Sequence, residues 1–158
     1  MIGRIRELLL RTESTRRLTE SKPEESVAVC VILLEMANVD GDFAKEESDH
    51  INQMLAERFS LNEQEVADLI KMAVTERAKS PDLWPFTNAI GKSYTPEQKK
   101  DLLIMVWRVI FADSRLDPHE EMLVRKLQQM LSVNQSVMIA AKQAARDIAG
   151  TSAPFETI

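Results

Sequence analysis

The sequence is poor in the residues that staple, kink or catalyse. Cysteine occurs once in 158 residues, at Cys30, so no intrachain disulfide can form. Cys30 lies in the apolar run Val27–Leu34 and reads as a small buried hydrophobe rather than a nucleophile. Glycine is scarce, with four residues, and aromatics make up 5%; Leu, Ile, Met and Ala fill the gap, a balance that favours helices over sheets. No glycine-rich phosphate loop and no suggestive Ser/His/Asp order is present. The two histidines, His50 and His119, are not spaced to make a zinc site with Cys30. No uninterrupted apolar stretch approaches the ~20 residues of a membrane-spanning helix. The N-terminus has no long apolar region leading to a small-residue cleavage site, so the expectation is a cytoplasmic protein.

Excess positive charge is also missing. The net charge is −5 and the isoelectric point about 5.2. Nucleic acid requires a phosphate-neutralising basic surface, so it is not the expected partner. The charge is uneven, however. Residues 1–22 hold six Arg/Lys against three Glu, a net +3 that leaves −8 for the rest.

What is present is helical patterning, on a chain long enough for one domain with one core. Residues 1–20 can form an amphipathic helix with Ile2, Ile5, Leu8 and Leu9 on one face. Docking on the body, fraying, and peripheral contact with a membrane surface are all open to it. Pro23 suits the first turn of the next helix. The following run, Val27 to Met36, is apolar on nearly all sides, as expected of a central helix. Further helices are expected from Lys45 to Phe59 and from Glu63 to Lys79, the latter burying Val66, Leu69, Ile70, Ala73 and Val74. A short helix is expected over Pro85–Ile90. Pro85 should hold Trp84 away from helical geometry, and Trp84 with Phe86 reads either as a ligand pocket or as an anchor between two halves. Thr95-Pro96-Glu97-Gln98 signals a helix start, as does Asp117-Pro118-His119-Glu120. Asn62 with Glu65, and Asn134, signal two more. The last helix should bury Val137, Met138, Ala141, Ala144, Ala145 and Ile148. Gly150 is expected to stop it, leaving 150–158 as a flexible tail.

Two acidic corners interrupt the apolar helices: Val39-Asp40-Gly41-Asp42-Phe43, and Ala112-Asp113-Ser114-Arg115-Leu116-Asp117. Each places an Asp seven residues before a Glu, Asp40 to Glu47 and Asp113 to Glu120. A shift of 73 residues superimposes Phe43 on Leu116, Ile51 on Val124 and Met54 on Leu127. Dropping one residue then aligns Ser60-Leu61-Asn62 with Ser132-Val133-Asn134. The expected fold is therefore all-α: about seven helices in an internally duplicated bundle with pseudo-two-fold symmetry, the repeats covering about 24–79 and 96–148 of a domain over 23–149.

Clustered carboxylates suit hard cations such as Ca²⁺ or Mg²⁺, which take several oxygen ligands. Asp40, Asp42 and Glu47 form one candidate set; Asp113, Asp117 and Glu120 form the other. Neither has the bidentate Glu of an EF-hand loop. Helix capping is the competing explanation. Glu47 and Glu120 stand where third-position helix residues belong, and Asp117 is an N-cap candidate. Asp40 and Asp113 follow helix C-termini, where an anion is disfavoured, so each calls for a compensating donor or cation. Acid–base catalysis by paired carboxylates would need a pocket and two carboxyls in different environments. No binding motif surrounds these residues, and a non-enzymatic protein is expected.

Glu35-Met36-Ala37-Asn38-Val39-Asp40-Gly41-Asp42-Phe43 resembles the acidic corner of the tellurite-resistance TerB-like family. Leu83-Trp84-Pro85-Phe86-Thr87 and Val106–Asp113 through Glu120-Glu121 resemble its second half. The likeness covers about residues 24–146. It implies a helical domain with duplicated halves and a role in metal-ion binding and stress response, beside membrane-associated partners or a J-domain; no J-domain occurs here. The family's corner maps onto Asp40 and Glu47, and onto Asp113 and Glu120. Ser114 stands where the family has Gly, and Ala44 stands where the second corner has Asp117, so the two corners are not equivalent. The expected function is an interaction module of a stress response with a divalent cation at its corners. The alternative is a metal-free adaptor that recruits a protein or a membrane through its N-terminal helix.

Overall fold

The computed structural model describes residues 23–37, 45–112 and 118–152, with side chains over 24–37, 48–112 and 118–149. These residues form seven helices: α1 (Pro23–Ala37), α2 (Lys45–Phe59), α3 (Glu63–Lys79), α4 (Trp84–Ser93), α5 (Pro96–Ala112), α6 (Pro118–Met130) and α7 (Gln135–Ser152). No strand occurs among them, and the fold is all-α as the composition predicts. The N-terminal segment 1–22 and the corner segments 38–44 and 113–117 lie outside the described residues.

α1 is the hub. From Val27 to Leu33 no residue is more than 3% exposed, because α1 packs against α2, α3, α4 and α5. Surrounded on four sides, this stretch has no solvent face, which is why it lacks a polar stripe. α5 is the second apolar helix, with Leu102, Leu103, Val106, Val109 and Ile110 buried. It carries α7, its most extensive partner, and also meets α2.

The turns follow the predicted chemistry. The Asn62 side chain accepts from the Glu65 amide at 2.8 Å, and Glu65 Oε1 accepts from the Asn62 amide at 2.8 Å. This reciprocal capping box satisfies two donors that the helix leaves orphaned. Thr95 and Gln98 exchange the same pair of bonds at 3.2 and 2.9 Å, and Asn134 accepts from the Val137 amide at 3.0 Å. Ser60 and Ser132, matched in the sequence alignment of the halves, both adopt left-handed backbone, with φ of 55° and 57°. After each, a backbone amide reaches back five residues to close the preceding helix: Leu61 to the Ala56 carbonyl at 3.0 Å, and Val133 to the Gln128 carbonyl at 3.1 Å. Both are Schellman closures.

Four expectations need correction. α4 begins at Trp84 and ends at Ser93, longer at both ends than the predicted Pro85–Ile90. Pro85 sits in the first turn, where the missing amide has no intrahelical partner to lose. Trp84 is thus helical, and Asp82 Oδ1 accepts from its amide at 3.0 Å. Phe86 is the anchor, 8% exposed, while Trp84 faces outward at 60%. α7 continues through Gly150 to Ser152: a glycine permits a left-handed stop but does not impose one. Val74 and Ile148 are exposed, not buried. Val74 follows fully buried Ala73 by one residue, about 100° round the helix, which carries it past the edge of the core-facing stripe.

Candidate functional site

The first acidic corner links α1 to α2, and the second links α5 to α6. Of the six candidate ligands, Asp40, Asp42, Asp113 and Asp117 lie outside the described residues, and Glu47 is placed in the first turn of α2 without a described side chain. Glu120 is the third residue of α6 and only 4% exposed. Its place at a helix N-terminus matches the capping expectation, since the exposed backbone amides there favour a carboxylate. Among the described residues, no three His, Cys, Asp or Glu side chains are grouped to hold a metal ion. The candidate set itself is all carboxylate oxygen, which fits Ca²⁺ or Mg²⁺ and not a thiolate-seeking metal. Burial pushes the Cys30 thiol well above its ordinary range, so it offers no thiolate.

The described flanks of the two corners meet. His50, on the second turn of α2 after the first corner, lies beside Arg108 on α5, just over one turn before the second. Burial lowers the His50 pKa, and the Arg108 guanidinium lowers it further. A hydrogen bond to the Arg108 backbone and the negative charge of Glu57 oppose this in part. Both His50 Nε2 and Arg108 Nε are buried with no hydrogen-bond partner. Sequence reading missed this pair, although Arg108 was a visible signal: it is the lone charge in the run Leu102–Phe111. A charged head group inside an apolar helix face implies a specific environment for it.

A lowered histidine pKa has a signed consequence. The unfolded chain binds the His50 proton at its ordinary, higher pKa, so acid favours the unfolded state. The stability tied to neutral His50 is present above about pH 6.5 and is lost as pH falls toward the lowered folded value. His50→Gln should therefore flatten the fall in melting temperature between neutral and mildly acid pH relative to the parent chain. Parallel curves for the two proteins would contradict the assignment.

A groove of about 870 Å³ lies between α2 and α3. Its floor is apolar, with Ala56, Leu61, Val66 and Ile70, and its rim carries Asp49 and Glu63. Asn52 stands in its wall, and the amide oxygen of that side chain is buried with no hydrogen-bond partner. The opposite end of α2 holds another polar group: Arg58 lies over the Phe59 ring at 5.3 Å and beside buried Tyr94, whose hydroxyl pKa is raised chiefly by burial. No helix among the described residues is long and apolar enough to cross a membrane.

No curated protein and no solved structure matches the chain. A family model described as tellurite resistance protein TerB matches residues 26–143. That span runs from the first turn of α1 to the middle of α7 and takes in both acidic corners. With about three-quarters of its length matched and its helices arranged about a buried first helix, the chain belongs to the TerB family.

Proposed function

We propose that this protein is a non-enzymatic interaction module of a tellurite-resistance-like stress response, and that its two acidic corners together hold a divalent cation of the Ca²⁺ or Mg²⁺ class. The observation that carries the reading is the contact of His50 with Arg108, which brings the described flanks of the two corners together. Carboxylates contributed from both corners would give the several oxygen ligands such a cation takes. Asp40 and Asp113 are the residues to credit first. They follow helix C-termini, where an uncompensated carboxylate is unfavourable. Glu120 belongs to the same set but also serves the α6 N-terminus, so it is a poorer probe.

The test is a melting-temperature titration of the full chain with Ca²⁺, Mg²⁺, Mn²⁺ and Zn²⁺, with Asp40→Ala/Asp113→Ala as control. A ligand that binds only the native state stabilises it by about 2.7 kcal/mol at one hundred times its Kd. At about 2–4 °C per kcal/mol for a chain of this size, that is a rise of roughly 5–11 °C. The double variant should lose the rise. A flat response to all four ions at millimolar concentration would sink the cation reading. Metal-free recruitment of a partner would then remain for the module.

A further inference from the structure

We propose that the N-terminal segment of this chain, residues 1–20, docks as a helix along the groove between α2 and α3. This placement does not depend on the cation reading, because the groove is built from different residues.

The groove is shaped and charged for such an occupant. Its apolar floor includes small Ala56 from one helix, and Ala67 lines it from the other. Small side chains let a third helix approach at the 8–10 Å typical of packed helices. Its charged lining residues, Asp49 and Glu63, are both acidic. In the wall, the Asn52 amide oxygen is a buried acceptor with no donor.

Residues 1–20 have the complementary pattern. At helical spacing Ile2, Ile5, Leu8 and Leu9 would share one apolar face, with Arg4, Arg6 and Arg11 beside it. Segment 1–22 is +3 against −8 for the remainder. As a helix its 20 residues would span ~30 Å, close to the ~26 Å of 17-residue α3. The tether is short as well: the segment runs straight into Pro23, and α1 packs directly on both α2 and α3. A short tether makes docking intramolecular, at an effective concentration in the millimolar range. That argues for the chain's own segment over the same segment of a second copy.

Paramagnetic broadening in the full chain tests the placement. A nitroxide is attached at Gln64→Cys, an exposed site on the first turn of α3 beside Glu63. A second labelled protein carries Gln143→Cys on α7, which packs chiefly on α5. Cys30 is buried and its thiol pKa is raised, so it does not take the label. The expected result is strong loss of amide intensity at residues 2–9 from the Gln64 site and little from the Gln143 site. Ile5→Glu/Leu8→Glu should abolish the loss, with the signals of α1–α7 unchanged. Weak or equal broadening from both sites overturns the proposal, as does broadening from the α7 site alone. Mixing labelled protein with isotope-enriched unlabelled protein should produce no broadening. If it does, the groove takes a second copy and the intrachain docking is wrong.

Discussion

Leu33→Asp is expected to abolish the native fold at neutral pH and to recover part of it in acid. Leu33 is fully buried in the middle of α1, the helix that meets four others. Losing a buried leucine removes about 1.5–3 kcal/mol of apolar burial. The new carboxyl would lie on the helix face it shares with buried Val29, Met36 and Ala37, with no solvent to hold its charge. Full burial raises a carboxyl pKa by about 3–5 units, to near 7 or above, and at 1.36 kcal/mol per unit the cost felt at pH 7 is then about 4 kcal/mol, set by the gap between pH 7 and the unfolded pKa of about 3.9. The combined cost of about 6–7 kcal/mol is comparable to the whole stability of a domain, about 5–15 kcal/mol. The pH dependence follows from the sign. The folded pKa lies above the unfolded value of about 3.9, so the charge penalty is absent below that value and grows as pH rises. Far-UV circular dichroism should show little helix at pH 7 and a partial return near pH 5. Leu33→Asn, which cannot ionise, should show no such return. A Leu33→Asp protein melting within a few degrees of the parent would mean that α1 is not central.

The features legible in the sequence were those whose chemistry is local. The Asn62/Glu65 and Thr95/Gln98 boxes need only two residues three apart, each satisfying the other's amide, so no tertiary knowledge is required. α1 was legible because a run apolar on all sides has few places to go except the interior. The start of α4 was not, since Pro85 argues equally for a helix start and for an extended residue before it. Nor was the exposure of Val74. Whether a residue at the edge of an apolar stripe is covered depends on the diameter and tilt of the neighbouring helix, and no window of sequence holds that. The candidate site divides in the same way. The helix-terminal place of Glu120 was local and readable, while its burial depends on how α6 sits on the bundle. Arg108 could be flagged as a lone charge, yet its partner, His50, is set by the packing of α2 on α5. The α2–α3 groove was invisible for the same reason: Ala56 and Ala67 become a floor and a wall only once the Ser60 turn folds one helix onto the other.

Trp107→Ala should cost about 3–5 kcal/mol and loosen α7 before the rest of the bundle. Trp107 is 4% exposed at the seam where α5 carries α7. Its indole N–H donates to Met138 Sδ at 3.4 Å, its ring stacks on Phe111 at 5.6 Å, and Lys142 Nζ lies 4.8 Å above it. Arg146 Cζ sits 5.7 Å over the Phe111 ring, so two cations of α7 rest on two aromatics of α5. The alanine variant loses the indole volume, the donor to sulfur and one cation–π contact, itself about 0.5–1 kcal/mol at a partly exposed site. Across from it, Ala141 and Ala145 are fully buried and too small to close the cavity. Because α5 is the principal partner of α7, the opening should be sub-global: hydrogen exchange in α7 should rise further than in α1. The melting temperature should fall by roughly 6–20 °C at about 2–4 °C per kcal/mol. Trp107→Phe keeps an apolar ring and should lose much less. It also leaves exposed Trp84 as the only tryptophan, so the fluorescence change on unfolding should shrink in the phenylalanine variant while its helix content survives. Equal acceleration of exchange in α1 and α7 would show instead that the seam opens only with the whole core.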